Sequence, residues 1–385
     1  MSCLTEKPDT LIVEDERPRL ELPEGVPPLG AIYLYASSGC NLACQHCWIT
    51  PTYDPSGETT VHARLDHVAK AIQEGKPLGL NRIKLTGGEP TLHPQFRELV
   101  HMISESGLGV TIETNGTLID RDLARFLKSH RVQHISVSID GATAEVHDDL
   151  RGVQGCFQQA LDGIDHLVAE GLHPQLICTI HDGNISHFDR IIELAFEHKC
   201  NSVKFNHVQV VGRGDQFAKK HALSIEDLLD LYRHLERDIR PGAKIPIFLD
   251  IPPAFHSIRQ LSKEPGGRCG IRNILGMLAG GELALCGIGV NVPELVYGHI
   301  ETDDLRDVWC HSPKLKTLRD VIPSKLEGIC GDCVLRDSCL GSCVANNFYV
   351  AGKLNAAYIF CDTAFSRGLF PMSRMRTGSQ AHQGG

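Results

Sequence analysis

A chain of 385 residues is long enough for one large domain and a smaller one. Its hydrophobic fraction of 42% and charged fraction of 22% are those of an ordinary globular protein, and no apolar run is long enough to cross a membrane. The formal net charge of −9 argues against a nucleic-acid partner, because phosphate binding needs clustered basic side chains.

Strand and helix patterns alternate along the first two thirds of the chain. Residues 1–29 are rich in proline and acidic side chains and predict an extended lead-in, too short for a leader-peptide-binding domain. Strands are predicted at 31–36, 82–86, 109–113, 133–139, 175–180 and 202–208. Helices are predicted near 60–76, 94–106, 119–129, 156–170, 187–199 and 224–238, with Pro94, Asp120, Ser186 and Ser224 near helix starts. Repeated βα units predict a parallel sheet curled into a partial barrel.

The cysteines are unevenly distributed. Fifteen cysteines in a chain without a secretion signal favour metal binding over disulfides, and a reduced, cytoplasmic compartment. Three of them, Cys40, Cys44 and Cys47, lie in the loop after the first predicted strand. A short loop with this spacing can wrap one face of a four-iron cluster and leave one iron atom without a protein ligand. The alternatives are a zinc site, for which His46 is a possible ligand, and three unrelated buried thiols.

Polar motifs follow the next three predicted strands. They occupy residues 87–90, 114–117 and 138–141. The C-terminal ends of parallel strands are where α/β sheets and barrels build their sites, so these motifs should surround the cysteine loop. Within them, the Gly87-Gly88 pair lets backbone groups approach a ligand without an intervening Cβ atom.

The Cys-x3-Cys-x2-Cys loop and the Gly-Gly-Glu-Pro segment resemble the radical S-adenosylmethionine (radical SAM) superfamily over residues 30–210. The resemblance implies that the open iron chelates the methionine moiety of SAM. It also implies that a reduced cluster splits SAM into a 5′-deoxyadenosyl radical, which takes a hydrogen atom from the substrate.

The same resemblance implies roles for residues of the SAM pocket. Gly87, Gly88 and Glu89 would bond the methionine amino group, Ser138 the ribose, and Arg151 the methionine carboxylate. His46 occupies the place where relatives have an aromatic residue near the adenine, and Trp48 is an alternative that packs against the cluster.

Seven further cysteines resemble the C-terminal extension called SPASM, which binds two auxiliary four-iron clusters. The resemblance assigns three of them to a nearer cluster, namely Cys269, Cys286 and Cys343. It assigns four to a farther one, namely Cys330, Cys333, Cys339 and Cys361. Seven thiols are one fewer than two fully ligated clusters need, so we expect an open iron or a non-cysteine ligand on the nearer cluster. A zinc ribbon is the alternative for residues 330–343, and Cys310 is expected to be structural.

The expected architecture is therefore α/β, with a partial (β/α)6 TIM-like barrel followed by a small cysteine-rich SPASM domain. The expected divisions are a lead-in at 1–29, the barrel at 30–240, the SPASM domain at 241–370 and a flexible tail at 371–385.

The expected activity is hydrogen abstraction from a ribosomally made peptide or small protein, giving a crosslink, an oxidation or an epimerisation. The alternatives are a radical SAM dehydrogenase or haem-pathway enzyme acting on a small molecule, and an iron–sulfur electron carrier or scaffold. Expected partners are a flavodoxin- or ferredoxin-type electron donor and a separate leader-binding protein. An epimerase would need a thiol hydrogen donor, and Cys178 could be that donor or an ordinary core thiol.

Overall fold

The main sheet is open and mostly parallel. The computed structural model describes residues 20–263 and 269–376. The ten strands of the main sheet are β1 Ala31–Ser37, β2 Arg82–Gly87, β3 Gly109–Thr114, β4 His134–Ser138, β5 Gln175–Ile180, β6 Ser202–His207, β7 Ile247–Leu249, β8 Ile274–Met277, β9 Glu282–Ala284 and β10 Val296–His299. A separate pair of two-residue strands joins Gly39–Cys40 to Thr52–Tyr53. They are ordered β10-β9-β8-β1-β2-β3-β4-β5-β6-β7, and every neighbouring pair from β8 to β7 is parallel.

The six strands predicted from the sequence are confirmed as β1–β6. Strands β7–β10 were not predicted, because they are only three or four residues long and carry too few alternations to stand out from a loop.

Helices cover the outer face of the sheet and build the C-terminal region. They are α1 Leu65–Gly75, α2 Phe96–Glu105, α3 Arg121–Ser129, α4 Ala144–Arg151, α5 Cys156–Ala169, α6 Phe188–Glu197, α7 Arg213–His221, α8 Ile225–His234, α9 Ile258–Lys263, α10 Leu305–His311, α11 Pro313–Val321, α12 Gly328–Asp332, α13 Arg336–Cys339, α14 Val344–Ala351 and α15 Ile359–Ser366. The six predicted helices are confirmed as α1, α2, α3, α5, α6 and α8. Helix α4 was not predicted, because its buried face includes His147 and Asp148 and so lacks an apolar stripe.

Side chains at helix starts explain where several helices begin. Asp120 caps α3 by accepting a hydrogen bond from the Leu123 amide at 2.7 Å. Ser224 and Asp227 form a capping box at the start of α8. Pro94 and Ser186 each lie two residues before their helices, which begin at Phe96 and Phe188.

Alternation along the barrel strands separates two kinds of side chain. On β2, Ile83 and Leu85 are buried in the core with the helices, while Lys84 and Thr86 line a cavity on the inner side. The other central strands repeat this pattern, so the inside of the barrel is polar. Interiors of closed TIM barrels are instead filled by branched apolar side chains. A polar interior therefore favours a ligand chamber over a packed core.

The sheet continues across the predicted boundary at residue 240. Strand β7 extends it beyond β6, and β8 pairs in parallel with β1 at the other side, with Ala31 opposite Ile274. Of the lead-in, residues 20–29 are described, and the indole of Trp309 donates a hydrogen bond to the Pro27 carbonyl at 2.9 Å. Residues 1–19 and most of the predicted tail, 377–385, lie outside the described part of the chain. Within that part, no helix has the length and apolar character needed to cross a membrane.

Candidate active site

A cavity of about 420 Å³ lies at the C-terminal ends of the barrel strands. The cysteine loop forms one wall, strands β2–β6 form another, and segments after β7 and β9 form a third. Because those two segments follow strands near opposite ends of the sheet, the sheet must curl around the cavity. The residues predicted for the SAM pocket all line it: Cys40, Cys44, His46, Cys47, Gly87, Gly88, Glu89, Ser138 and Arg151.

Backbone hydrogen bonds hold the cysteine loop in place. The amides of Ala43 and Gln45 donate to the carbonyls of Arg151 and Leu150, at 3.0 and 2.9 Å. The carbonyl of Cys40 accepts from the Asp54 amide at 2.8 Å. The end of α4 thus braces the loop from outside, and the loop's shape is set by the protein itself.

A side-chain network joins the same loop to the end of β3. The side-chain Nδ2 of Asn115 donates to Asn41 Oδ1 at 2.8 Å, and the side-chain Nδ2 of Asn41 donates to Thr117 Oγ1 at 2.8 Å. Asn115 Oδ1 in turn accepts from the Thr117 amide at 3.0 Å. Asn115 therefore fixes the turn after β3 and the first half of the cysteine loop together, while also lining the cavity.

The two glycines after β2 are required by close backbone packing. A Cβ atom on Gly88 would lie 1.9 Å from the Gly39 carbonyl oxygen, and Gly87 has a φ of +127°. The amides of Gly88 and Glu89 each donate at 2.8 Å, to Ser37 and Gly39 respectively. Because these donors are used within the protein, the segment can offer a ligand only carbonyl oxygens, which suit an ammonium group.

Glu89 is buried and its carboxylate is fully engaged. Its oxygens accept from the Thr91 and Thr114 hydroxyls, both at 2.6 Å, and from the Asn115 amide at 2.8 Å. Burial raises the pKa of Glu89, although these hydrogen bonds oppose the effect. The side chain thus links the end of β2 to the end of β3, and its oxygens are already engaged by the protein where the residue lines the cavity.

Arg151 is held between a carboxylate and a cluster thiol. Its guanidinium lies 2.6 Å from Asp140 Oδ2, and its other terminal nitrogen donates to Cys44 Sγ at 3.6 Å. Burial by itself would raise the pKa of Asp140, but Arg151, two nearby histidines and the Thr179 amide together outweigh it, and the pKa is lowered. Asp140 is in turn positioned by the Thr179 amide, which donates to it at 2.7 Å. The site therefore contains a charged Arg–Asp pair.

His46 and Trp48 lie on different sides of the loop. His46 Nε2 is 3.7 Å from Asp140 Oδ2, and burial lowers the pKa of His46 to about 4, which keeps the ring neutral. Trp48 packs with Tyr35 and Leu278. Both rings line the cavity, and the role of His46 near an adenine stays a prediction.

The loop thiols fit a polynuclear cluster better than a single ion. No three His, Cys, Asp or Glu side chains in residues 20–263 and 269–376 come close enough to hold one metal ion. Cys40, Cys44 and Cys47 instead border the cavity. Burial raises the pKa of Cys44, while Arg151 partly offsets the effect. Buried thiolates need a cationic partner, and iron atoms would supply it.

Two of the three thiols predicted for the nearer cluster, Cys286 and Cys343, line the same cavity as the cysteine loop. Burial raises the pKa of Cys269, and the neighbouring Cys343 thiol adds to that rise. Burial also raises the pKa of Cys286, with a further contribution from Cys343 and Cys269. Asp250, after β7, lines the same cavity and brings a carboxylate to it.

The four thiols predicted for the farther cluster line a small second cavity of about 20 Å³. They arise from α12, the segment after it, the end of α13 and α15, and are Cys330, Cys333, Cys339 and Cys361. Pro252, Ile329 and Phe370 enclose them. Four thiols among mostly apolar side chains are a donor set that suits a fully ligated four-iron cluster.

Two other thiols are structural. Cys178 lies on the helix side of β5, fully buried in the main core, and so cannot act as a hydrogen donor inside the barrel. Cys310 is buried in α10, as predicted from the sequence.

Sequence reasoning gave no role to Asp140, Asn41, Lys84 or Glu113. Asp140 lies within the Ser-Ile-Asp-Gly segment, so its position at a strand end was a usable signal. Lys84 and Glu113 alternate with apolar residues on β2 and β3, and a charged residue on the inner face of a barrel strand was the signal there.

Residues 34–195 match the family model described as the radical SAM superfamily. The AdoMet-dependent heme synthase of Methanosarcina barkeri is 29% identical over 337 residues, which cover 84% of this chain and 94% of that protein. Mycofactocin maturase MftC of Mycobacterium tuberculosis is 28% identical over 322 residues, covering 82% of this chain and 78% of that protein.

Among solved structures, Streptococcus suis SuiB bound to its precursor peptide SuiA aligns with a TM-score of 0.69 at 18% identity, over 87% of this chain and 76% of that one. At this identity the likeness concerns the fold alone. It confirms the predicted α/β partial barrel with a cysteine-rich C-terminal region.

Proposed function

Because the chain is an enzyme of the radical SAM superfamily, which uses a four-iron cluster and SAM, we propose that it abstracts hydrogen from a ribosomally made peptide or small protein. The products would be a crosslinked, oxidised or epimerised residue. The observation that carries this proposal is the single cavity shared by the cysteine loop and by Cys286 and Cys343. A substrate in it would be adjacent to both sets of thiols.

The loop and strand ends would hold the SAM-binding cluster and SAM. Cys40, Cys44 and Cys47 would ligate three irons, and bound together the cluster and SAM supply the hydrogen-abstracting radical. The carbonyls of Gly87 and Gly88 would accept from the methionine ammonium group, and Ser138 would contact the ribose.

Arg151 would hold the methionine carboxylate while remaining paired with Asp140. Asp140 takes one terminal nitrogen, and a guanidinium carries five N–H donors, so further donors remain for a second carboxylate. Asp140 would therefore set the direction in which Arg151 presents those donors.

The two sets of cysteines in the C-terminal region would hold auxiliary clusters. Cys269, Cys286 and Cys343 would ligate one beside the substrate, and the four thiols around the smaller cavity would ligate the other. Bound clusters at these positions supply one-electron acceptors. One cluster beside the substrate and a second one farther away would favour oxidation of a substrate radical, with an external electron carrier as the final electron acceptor. A separate protein would present the precursor peptide.

The polar inner wall of the cavity favours a peptide as the substrate. Neutral and charged hydrogen-bonding groups project from five adjacent strands into the cavity: Thr86, Glu113, Ser136, Ser138, Thr179 and Asn206. Peptide amides need partners of this kind when they leave water, since an unpaired buried polar group is unfavourable.

A second candidate is chemistry on an iron-porphyrin, as the relatives named as heme synthases suggest. One observation favours it. The Arg213 Nε and Nη2 atoms are buried at the cavity without a hydrogen-bond partner in the described residues, and a porphyrin carboxylate would satisfy them. A large flat apolar ring is nevertheless a poor match for the polar inner wall.

The test is anaerobic turnover by the full-length reconstituted protein with dithionite. SAM cleavage to 5′-deoxyadenosine is measured alone, with peptides encoded beside this gene, and with iron-coproporphyrin III. We expect deuterium from a labelled peptide to appear in 5′-deoxyadenosine. Deuterium transfer only from the labelled porphyrin would establish the second candidate, and absence of SAM cleavage under all conditions would overturn both.

A further inference from the structure

The inside of the barrel contains an ion pair that the SAM pocket does not use. The Lys84 ammonium lies 2.5 Å from Glu113 Oε1, and the Thr86 hydroxyl donates to the other carboxylate oxygen at 3.5 Å. Both charged side chains line the cavity. Burial by itself would lower the pKa of Lys84, but Glu113 and Tyr33 together oppose it and the pKa is raised. Burial would raise the pKa of Glu113, but Lys84, Lys204 and the Thr86 hydroxyl together oppose it and the pKa is lowered. Both groups are therefore charged.

The strand register directs this pair toward the nearer auxiliary thiols. Lys84 on β2 is directly opposite Tyr33 on β1, and its ammonium lies 4.4 Å from the centre of the Tyr33 ring. Tyr33 is in turn opposite Gly276 on β8. A Cβ atom on Gly276 would be 2.8 Å from the backbone of Cys286. A single row across three strands thus leads from the ion pair to the backbone of Cys286, a residue of the nearer group.

The ion pair shares its cavity with two of these thiols. Lys84 and Glu113 line the same cavity as Cys286 and Cys343. Because β2 lies between β1 and β3, the Lys84 ammonium is on the side of the row that leads to Cys286, and Glu113 pairs with it from the other side.

We propose that the Lys84–Glu113 pair sets the reduction potential of the cluster held by Cys269, Cys286 and Cys343. This inference rests on the proposed assignment of those thiols. Reduction adds one negative charge to a cluster, so a nearby cation raises its potential and a nearby anion lowers it. Glu113 partly cancels the effect of the Lys84 charge on the cluster. Loss of either side chain should therefore shift the reduction potential, and the two shifts should have opposite signs. Lys84 and Glu113 are positioning residues in this role, and neither is a ligand.

The proposal predicts shifts of opposite sign. Lys84→Met leaves Glu113 uncompensated and should lower the potential, giving at least a tenfold fall in the reduced-to-oxidised ratio at a fixed potential, or ~59 mV for one electron. Glu113→Gln leaves Lys84 uncompensated and should raise it. Lys84→Arg keeps the charge and should retain the wild-type potential.

The measurement is a potentiometric titration of the full-length, three-cluster protein followed by electron paramagnetic resonance. The signals of the other two clusters are internal references and should not shift. Removing one charge from a close pair can impair folding, so the double variant Lys84→Met/Glu113→Gln is included and should titrate near the wild type. Lys204→Met, which removes a cation from β6 of the same barrel, should cause a smaller shift.

Three outcomes would overturn the proposal: shifts of the same sign for Lys84→Met and Glu113→Gln, equal shifts of all three clusters, or no shift. These differ from failure of the underlying assignment. If Cys269→Ala/Cys286→Ala retains all the iron of the wild type, the thiols do not hold a cluster, whatever the variants of the ion pair show. SAM cleavage is measured separately and is not part of this test.

Discussion

The two cysteine regions are built in opposite ways. The first has three thiols within eight residues, and its loop is fixed by hydrogen bonds to α4 and to the turn after β3. The second draws its thiols from residues 269–361, across loops and helices as short as four and five residues. Helices of that length are not stable alone.

This difference suggests different relations between metal and fold. In the first region the protein shapes the loop, and the cluster enters a site that exists without it. In the second, a cluster ligated by segments far apart in sequence would itself supply much of the cohesion, as structural metals do in small domains. The first cluster should then matter most for chemistry, and the farther auxiliary cluster most for stability.

The largest expected effect is the loss of chemistry without loss of fold. Cys44→Ala should reduce 5′-deoxyadenosine formation to the background level, because a four-iron cluster cannot be held by two thiols, and should lower iron content by about four atoms. The thermal unfolding midpoint should remain close to that of the wild type. Cys178→Ala, the same substitution at a core thiol, should retain both iron and SAM cleavage. A collapse of the fold in Cys44→Ala would contradict a preformed loop.

The converse is expected in the second region. Cys330→Ala/Cys361→Ala removes two ligands of the farther cluster and should make residues after about 325 sensitive to limited proteolysis, with a lower unfolding temperature. Cleavage of SAM without substrate should persist, because the cysteine loop is braced by the barrel. Cys310→Ala is the control, since that thiol is buried in α10 and lines neither cavity. Equal protease resistance of the double variant and the control would refute a structural role for this cluster.

Breaking the charged pair behind the cysteine loop tests how far the first site depends on electrostatics. Asp140→Asn leaves Arg151 buried without its carboxylate, which should lower the free energy of unfolding by about 3–5 kcal/mol. Because Arg151 lowers the pKa of Asp140, the carboxylate stabilises the fold fully above its unfolded pKa of about 3.9. That stabilisation is lost as the pH falls through the lower folded pKa.

The stability gap between wild type and Asp140→Asn should therefore be constant near neutral pH and shrink below about pH 4. Urea unfolding at several pH values measures it. Arg190→Gln, at an exposed ion pair on α6, is the control and should cost less than about 1 kcal/mol. A gap that widens toward acid would mean that Arg151 and Asp140 are not a charged pair.

Much of the barrel and of the first cysteine site could be predicted from the sequence, and there is a physical reason why the rest could not. Strands β1–β6 alternate clearly, and the spacing of Cys40, Cys44 and Cys47 is local, so both were within reach of a linear pattern. Strand β8, and with it the row from Lys84 to Gly276, depends on pairing with β1 between residues more than 240 positions apart. Only folding brings such residues together. The partner of Arg151 is close in sequence, and the position of Asp140 at the end of β4 was a signal that could have found it.

The smallest expected effect concerns the side-chain hydrogen bonds that join the cysteine loop to the turn after β3. Asn115→Ala removes the bond to Asn41 and the acceptor for Thr117, which should cost ~1 kcal/mol of stability and slow SAM cleavage severalfold while leaving iron content unchanged. Thr117→Val keeps the Asn115–Asn41 bond, so it should slow cleavage less. If the cysteine loop is held rigid by its backbone hydrogen bonds to α4 alone, the two variants will cleave SAM at the same rate. The bonds to α4, and not the Asn115 network, would then account for the preformed first site.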